Sequence, residues 1–284
     1  MRRSALLVLA LVLAIAGVVA PRAQARREAV RSPRIYVFDD GEIKGLGPQL
    51  FNFTKEELPN TDVVMVSYLI VHPKGTLMWD SGGIPDSAFK ADGTPAAQGV
   101  MSATHELLPQ LAAVGYKPSD ITYFGLSHYH SDHTGNANAF AGSTWIVQKA
   151  DRDAMFADKP TQIMATATFN ALKNAKTRVL NNEDFDVFGD GTVVIKSAPG
   201  HTPGHQVLFV RLKNTGPVIL AGDLYHYPIE RTTGRVPTFE FNADQSRASR
   251  QKVEALVKQT GAKLWIEHDA ATFASQPKAP RYLD

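Results

Sequence analysis

The sequence of 284 residues contains no cysteine. This absence excludes disulfide bonds, thiolate nucleophiles, cysteine-based zinc fingers and a lipid-modified cysteine. The fold must therefore depend on its hydrophobic core, and a chain of this length can bury a large one.

Long apolar runs are also scarce, and the clear one lies at the start of the chain. Arg2 and Arg3 precede an apolar run from Ala5 to Ala20, and Ala23-Gln24-Ala25 follows as a small-x-small site. This order is typical of a secretory signal peptide. The run is shorter than the ~20 residues that span a bilayer comfortably, which favours cleavage over a retained membrane anchor. We predict a signal peptide at 1–25 and a periplasmic or secreted mature chain at 26–284, without stable membrane association.

The mature chain lacks an excess of charge of either sign. Removal of residues 1–25 takes away Arg2, Arg3 and Arg22, so 27 of the 30 basic residues remain against 28 acidic ones. No basic stripe remains, and the composition therefore predicts no nucleic-acid partner.

Short apolar runs bounded by Gly, Pro, Asn or Asp predict nine strands. They are Ile35–Phe38, Val63–Val71, Thr76–Asp80, Ile121–Leu126, Thr144–Gln148, Thr192–Ser197, Gln206–Leu212, Val218–Ala221 and Lys263–Glu267. Apolar stripes at helical spacing predict two helices, one around Leu107–Val114 and one around Val253–Val257, with a weaker candidate at Ala165–Lys173. Strands followed by helices, twice over, predict one layered α/β domain.

Residues 39–60 differ from the rest: they contain glycines, charges and the aromatics Phe51 and Phe53, which we expect to be exposed, and they show little periodicity. Two interpretations stay open: a loop that faces a substrate, or a surface connection held by its aromatic side chains.

The segment that indicates chemistry is Ser-His-Tyr-His-Ser-Asp-His-Thr-Gly-Asn at 127–136, directly after a predicted strand. His128 and His130 are two residues apart, which places both imidazoles on one side of an extended chain. Asp132 and His133 follow where the chain turns and can face the same space. Nitrogen and carboxylate donors of this kind suit Zn²⁺.

The pattern H-x-H-x-D-H after a strand resembles the metal-binding signature of the metallo-β-lactamase superfamily, and four further segments resemble its other motifs in order. Asp80 matches an early structural aspartate, and the segments around His201, Asp223 and His268 match the remaining motifs. The resemblance implies a single-domain αββα sandwich. It also implies two divalent metal ions, held by His128, His130, Asp132, His133, His201, Asp223 and His268.

Within that superfamily, the detail resembles the N-acyl-homoserine lactonase group, notably in Pro-Gly-His-Thr-Pro-Gly-His-Gln at 199–206. The implied reaction is attack of a metal-bridging hydroxide on a lactone carbonyl, with Asp132 as a candidate proton shuttle. Many members of the group carry tyrosine three residues beyond the bridging aspartate, where this chain has His226. His226 and Tyr225 are therefore candidate substrate or acid–base residues, and the departure concerns the identity of the substrate.

Alternatives follow from the same resemblance. A periplasmic metallo-β-lactamase that opens β-lactams is the runner-up, and a non-catalytic metal-binding module is a third interpretation. Thioester hydrolysis of the glyoxalase II kind and RNA processing conflict with the predicted export, and a flavodiiron protein would need a further domain. Zinc is the first expectation for the metal, although the ligands also suit Fe, Mn or Co. The sequence gives no indication of oligomeric state.

Overall fold

The computed structural model describes residues 30–159 and 164–284. The predicted signal peptide at 1–25 lies outside the described residues. In the described ranges, no helix combines the length and the apolar character that crossing a membrane requires.

Two β-sheets form the centre of the molecule. The first contains β1 to β8 and β14, in the order β4-β5-β1-β2-β3-β6-β7-β8, with β14 paired to β1. These strands are Arg34–Ile43, Val63–His72, Gly75–Trp79, Ala96–Gln98, Met101–Ala103, Tyr123–Gly125, Thr144–Gln148, Thr177–Leu180 and, for β14, Tyr282–Leu283.

The second sheet has the order β13-β12-β11-β10-β9. From β9 to β13 the strands are Phe185–Asp186, Val193–Ser197, Gln206–Arg211, Pro217–Leu220 and Lys263–Trp265. The pairs β3/β6 and β12/β13 are parallel. Because carboxyl ends of parallel strands meet at one edge of a sheet, each sheet has an edge where following loops converge.

The α-helices α1 to α6 are Leu107–Ala113, Lys149–Met155, Thr166–Phe169, Pro228–Thr233, Ala243–Thr260 and Ala270–Ser275. Short 3₁₀ helices lie at Pro48–Phe51, Asp86–Ala88, Pro118–Asp120, Ala137–Phe140, Asn170–Asn174 and Gly222–Leu224. In α5, the Asn242 side chain accepts hydrogen bonds from the first-turn amides, and Gly261 ends the helix in the left-handed conformation.

The apolar side chains arrange these elements in four layers. Between the sheets, Tyr68 and Trp79 of the first pack with Leu208 and Leu220 of the second. The other face of the first sheet packs against α1 through Leu107 and Leu111. The other face of the second sheet packs against α5, with Val253 among Phe209 and Ile219. The order helix, sheet, sheet, helix is the predicted αββα sandwich.

All nine predicted strands and both predicted helices are present. The strand ends differ by a few residues, whereas α5 begins at Ala243, well before the apolar stripe that starts at Val253. The weaker helix candidate at Ala165–Lys173 is divided between α3 and a 3₁₀ helix. The segment 39–60 continues β1 to Ile43 and then enters a 3₁₀ helix. Its aromatics Phe51 and Phe53 are buried rather than exposed, because both belong to an apolar cluster beside the sheets.

One carboxylate in β1 is buried without a positively charged partner among the described residues. The pairing of β1 with β2 shifts register between Asp39 and Glu42, and Asp40 lies in this irregularity against Gly82. Asp40 is 4 % exposed, and neither carboxylate oxygen accepts a hydrogen bond from the described residues. Burial raises the pKa of Asp40 from 3.8 to about 7; Ser67 opposes this rise, and the carboxylates of Asp39, Asp86 and Asp80 add to it.

This environment predicts that Asp40→Asn stabilises the protein at alkaline pH. A carboxyl group whose pKa is higher in the folded state loses stability as the pH rises from about 4 to about 7, and the loss persists above that range. The shift corresponds to about 4 kcal/mol at most, so we expect a gain of roughly 2–4 kcal/mol at pH 8 and little change at pH 4. Urea denaturation at both pH values measures it.

The neighbouring Asp39→Asn variant is the matched control, since the Asp39 side chain is 37 % exposed. Its stability should follow that of the wild type at both pH values. If the free energy of unfolding depended on pH equally in the wild type and in Asp40→Asn, the raised pKa would not belong to Asp40.

Candidate metal centre

The seven predicted metal ligands lie together at one edge of the sandwich. Two groups have ligand atoms within 4.8 Å of one another: His128, His130, His201 and Asp223 form the first, and Asp132, His133, Asp223 and His268 form the second. The segment 128–133 follows β6 of the first sheet, whereas His201, Asp223 and His268 follow β10, β12 and β13 of the second. The cluster is therefore built where loops from both sheets meet.

Asp223 belongs to both groups and divides its two oxygens between them. Its Oδ1 is 3.1 Å from Nε2 of both His133 and His268. Its Oδ2 is 3.2 Å from His201 Nε2 and 3.6 Å from His128 Nε2. This division is the arrangement that a carboxylate needs to bridge two cations.

The remaining donors complete each group. His130 Nδ1 is 3.0 Å from His201 Nε2. Asp132 Oδ2 is 3.4 Å from His268 Nε2 and 3.5 Å from His133 Nε2.

The donor set fits metal ions because some of its buried atoms lack any other partner. Within the described ranges, His128 Nε2, His133 Nε2 and Asp223 Oδ1 are buried and take part in no hydrogen bond. Buried polar atoms are rarely left in this state. Imidazole nitrogens and carboxylate oxygens that converge in this way are the donors that zinc and related ions take in proteins.

The segment 127–136 is held in place by contacts with Asp80, which follows β3. Asp80 has a φ of +58° and is fully buried. Its Oδ1 accepts a hydrogen bond of 2.6 Å from the Ser127 amide, and its Oδ2 lies 3.3 Å from His133 Nδ1. One carboxylate therefore sets both the start of the motif and the orientation of its last histidine.

The position of Asp223 depends on the glycine before it. Gly222 has a φ of +49°, and a Cβ there would lie 2.7 Å from Ser127 Cβ and 2.9 Å from His205 Nε2. Glycine alone meets both conditions. His205 Nδ1 donates to the Ala198 carbonyl, and its Nε2 accepts the Asp223 amide at 3.1 Å. His205 thus holds the backbone of Asp223, and it belongs to neither of the two ligand groups.

Several histidines of the two groups are oriented through their second nitrogen, as is usual at metal sites. His268 Nδ1 donates to the Val64 carbonyl at 2.7 Å, and His201 Nδ1 lies 3.1 Å from Glu240 Oε1. Glu267 Oε1 is 3.5 Å from His133 Nδ1. The sequence did not predict the roles of Glu240 and Glu267. No local pattern shows that a glutamate will lie next to the second ring nitrogen of a histidine in the folded chain.

An open cavity of about 250 Å³ leads to the cluster. Its polar lining comes from the metal centre, Ser131 and His226, and the rest is apolar. The apolar lining residues are Ile43, Leu46, Leu50, Phe51, Val63, Val100, Met101 and Phe239.

Comparison with known proteins agrees with this architecture. Residues 21–266 match the sequence model described as the Metallo-beta-lactamase superfamily. The chain belongs to this superfamily.

Among superfamily members, the chain is 29 % identical over 264 residues to the N-acyl homoserine lactonase AttM of Azorhizobium caulinodans, covering 88 % of this chain and 98 % of that protein. It is 27 % identical to the N-acyl homoserine lactonase AiiA of Bacillus thuringiensis subsp. kurstaki, covering 76 % and 85 %.

Two solved superfamily structures show the same fold. An N-acyl homoserine lactone hydrolase with N-hexanoyl-L-homoserine at its catalytic metal centre matches with a TM-score of 0.74 at 24 % identity, covering 89 % of this chain and 99 % of that one. AidC, a dizinc quorum-quenching lactonase, matches with a TM-score of 0.62 at 19 % identity, covering 90 % and 95 %. The predicted resemblance to the superfamily and to its lactonase group is confirmed.

In this superfamily member, the pKa shifts of the buried cluster differ from residue to residue. Burial lowers the pKa of His128 well below its usual range, and the nearby His133 adds to the effect, so this imidazole is neutral. Burial alone would raise the pKa of Asp223, but His268, His133 and His128 hold it well below its ordinary value. Burial alone would lower the pKa of His133 and of His268, but Asp223 and Asp132 raise it well above the usual range of histidine. These two imidazoles therefore carry protons that a bound cation would displace.

The two candidate residues beyond Asp223 lie on opposite sides of the chain. His226 lines the cavity, and its Nε2 is 3.1 Å from Asp223 Oδ2. Tyr225 does not line the cavity; its hydroxyl donates to Glu254 on α5, and its ring lies under the Arg250 guanidinium. Burial raises the pKa of Tyr225 above its ordinary value, with Glu254 adding to the effect. Tyr225 therefore packs against α5 outside the cavity, whereas His226 lies in the cavity wall next to Asp223.

Proposed function

We propose that this protein hydrolyses N-acyl-homoserine lactones at a dinuclear metal centre. The proposal rests on one observation: the apolar cavity ends at Asp223, whose two carboxylate oxygens face different groups of candidate ligands. Relatives that span nearly the whole chain are named for this activity. A substrate with a compact polar ring and an apolar chain matches a cavity that is polar at the metal end and apolar elsewhere.

The apolar wall extends to the surface. Leu50 and Val100 line the cavity and are 38 % and 56 % exposed, so they continue its apolar lining to the opening. An acyl chain lying against both side chains would remove them from water. A β-lactam carries a carboxylate and several amides, for which this wall offers no partners.

Two divalent ions, with zinc as the first candidate, would supply a hydroxide nucleophile at neutral pH and polarise the lactone carbonyl. In the proposed reaction, a water molecule adds across the ring ester bond. The carbonyl carbon gains a hydroxyl group, the ring oxygen departs with a proton, and the product is a ring-opened hydroxy acid.

The protein's own side chains orient the substrate and move the proton. Asp132 lies on the cavity wall, so its carboxylate can accept the proton released by the attacking water and deliver it to the departing ring oxygen. His226 faces the same space from the opposite group of ligands, on the Oδ2 side of Asp223, and orients the lactone carbonyl. The apolar side chains hold the acyl chain and exclude bulk water.

We further propose that the enzyme acts outside the cytoplasmic membrane, after cleavage of residues 1–25. The support is the order of basic, apolar and small residues at the start of the chain. Mass spectrometry of protein from the periplasmic fraction would give a mature chain beginning at Arg26. A full-length chain in the membrane fraction would contradict this.

The deciding experiment compares three substrates with the zinc-loaded mature chain: a long-chain N-acyl-homoserine lactone, a simple γ-lactone and a chromogenic cephalosporin. We expect the acyl-homoserine lactone to be opened fastest, because only this substrate uses both the polar and the apolar parts of the cavity. His130→Ala, which removes one ligand, should abolish the turnover.

Cephalosporin cleavage without lactone opening would identify a β-lactamase instead. Full zinc content without turnover of any substrate would identify a non-catalytic metal-binding module.

A further inference from the structure

Part of the apolar wall of the cavity is formed by two segments that lie outside the sheets. The segment 44–62, between β1 and β2, contributes three of the lining residues, among them Leu50 and Phe51. The loop 234–242, between α4 and α5, contributes Phe239. The ring of Phe51 meets that of Phe239 edge-on, at 85° and with centroids 5.5 Å apart. The shape of this wall therefore depends on how the two segments lie against each other.

An ion pair joins the two segments. Nη1 and Nη2 of Arg235 each donate a hydrogen bond of 2.8 Å to one carboxylate oxygen of Glu57. Nη1 also donates to the Asn52 carbonyl at 3.0 Å, and the guanidinium carbon lies 4.7 Å from the centroid of the Phe53 ring. Pairing through two parallel hydrogen bonds fixes the orientation of both partners. The hydrogen bonds from Arg235 lower the pKa of Glu57 to about 2, so the pair is ionised at neutral pH.

Two further hydrogen bonds beside this pair continue the contact toward the cavity. The Asn52 side chain donates to the Val236 carbonyl at 2.7 Å, and the Thr238 amide donates to the Leu50 carbonyl at 2.7 Å. Leu50 itself belongs to a 3₁₀ helix of four residues. Hydrogen bonds within such a helix have poorer geometry than those of an α-helix. Contacts with the loop 234–242 therefore contribute strongly to the position of Leu50.

The end of the loop 234–242 that lies near the metal centre has separate anchors. The Asn242 amide donates to the Gly200 carbonyl at 2.9 Å, next to His201 in the chain. The Asn242 side chain also caps α5. Loss of the Arg235–Glu57 pair should therefore loosen the apolar wall and leave the candidate ligands in place.

We propose that the Arg235–Glu57 pair holds Leu50 and Phe51 against the loop 234–242, and that both charged residues are positioning residues for the binding of long acyl chains. The inference rests on the proposed function and concerns one part of its substrate. A long acyl chain must lie along the apolar wall, whereas a short one covers little of it. When the arrangement that binds a ligand is populated only part of the time, the apparent affinity falls by that fraction.

Arg235→Met is the variant that tests the pair. The side chains of Arg235 and Glu57 are 36 % and 39 % exposed, and exposed ion pairs contribute little to global stability. The variant should therefore fold. Methionine also keeps an apolar stem that can lie against Phe53.

The first measurement needs no substrate. Amide hydrogen exchange of the zinc-loaded enzyme, followed by NMR, reports how often each backbone hydrogen bond opens. In Arg235→Met, the Thr238 amide should exchange at least about 5-fold faster than in the wild type, whereas the Asn242 amide should keep its wild-type rate. Unchanged exchange at Thr238 would overturn the proposal.

The second measurement compares N-dodecanoyl-homoserine lactone with N-butanoyl-homoserine lactone. Arg235→Met should raise KM for the dodecanoyl substrate by roughly 5–10-fold and leave kcat within about two-fold of the wild type. KM for the butanoyl substrate should change by less than about two-fold, because its chain covers little of the wall. An equal rise of KM for both substrates, or a loss confined to kcat, would show that the pair does not act on the acyl chain.

Arg231→Met is the matched control. Arg231 also pairs through two hydrogen bonds, of 2.6 and 2.8 Å, with the carboxylate of Glu254, and its side chain is likewise 36 % exposed. It lies outside the lining of the cavity. This variant should keep the wild-type exchange at Thr238 and the wild-type KM for both lactones.

Glu57→Gln tests the other member of the pair in a double-mutant cycle. It should raise KM for the dodecanoyl lactone in the wild-type background but not in Arg235→Met. Equal effects in both backgrounds would show that Glu57 does not act through Arg235. If the wild type opens no lactone, the proposed function fails, while exchange at Thr238 still decides whether the pair holds the wall.

Discussion

Asp223→Ala is expected to lose at least one of two bound metal ions and to lower kcat/KM for lactone hydrolysis by about 10³-fold or more. Asp223 Oδ1 faces one group of ligands and Oδ2 faces the other. Alanine removes a ligand from both groups at once, and with it several kcal/mol of transition-state stabilisation. Elemental analysis of the purified protein and a lactone assay measure the two effects.

Asp153→Ala is the control for this substitution, because Asp153 lies on α2 with a side chain 54 % exposed. It should keep two ions per chain and full activity. Circular dichroism of Asp223→Ala distinguishes loss of metal from loss of fold. A folded Asp223→Ala protein that holds two ions and retains activity would refute the bridging role.

Asp132→Asn is expected to lower kcat by roughly 10²–10⁴-fold when assayed with excess metal, the range that a positioned acid–base group contributes. Asparagine keeps the shape and an oxygen donor but cannot take up and release the proton. Burial would raise the pKa of Asp132, but His133 and His268 hold it well below its ordinary value. The wild-type carboxylate is therefore ionised before the reaction.

The readout for Asp132→Asn combines metal content with single-turnover kinetics. Ser131→Ala is the matched control, since Ser131 lines the same cavity and its side chain is absent from both ligand groups. We expect its kcat to stay within a few-fold of the wild type. Two bound ions together with full turnover in Asp132→Asn would remove the proton role from Asp132.

The strand and helix patterns predicted one layered α/β domain, and the resemblance to the superfamily implied the αββα order and the full set of ligand residues. The patterns agreed with the resemblance because each ligand segment follows a buried strand or lies in a turn after one, and such strand ends meet at one edge of a sheet. Asp223 and His268 follow the parallel strands β12 and β13, and their proximity is a consequence of that pairing.

The sequence could not separate Tyr225 from His226. Adjacent residues of an extended segment point to opposite sides, and a shift of one residue exchanges them. The burial of Phe51 and the pairing of Arg235 with Glu57 were also beyond its reach. Phe51 is buried against Tyr227 and Phe239, and Arg235 is 178 residues from Glu57 in the chain. Such contacts depend on the packing of whole elements, which no local pattern encodes.

The strands that sequence reasoning missed are the short ones. β4, β5, β8, β9 and β14 contain between two and four residues each. A run of this length is too short to show an alternating pattern. Pairing with a longer neighbour, as β5 pairs with β1, is what makes it a strand.

The proposed metal ligands come from both sheets, His128 to His133 from the first and His201, Asp223 and His268 from the second. Ions held between them would act as cross-links through the middle of the molecule. Secreted proteins often obtain such restraint from disulfides, which this chain cannot form. Ions that bind only the native state stabilise it. The metal centre would therefore hold the two sheets together in addition to being the site of reaction.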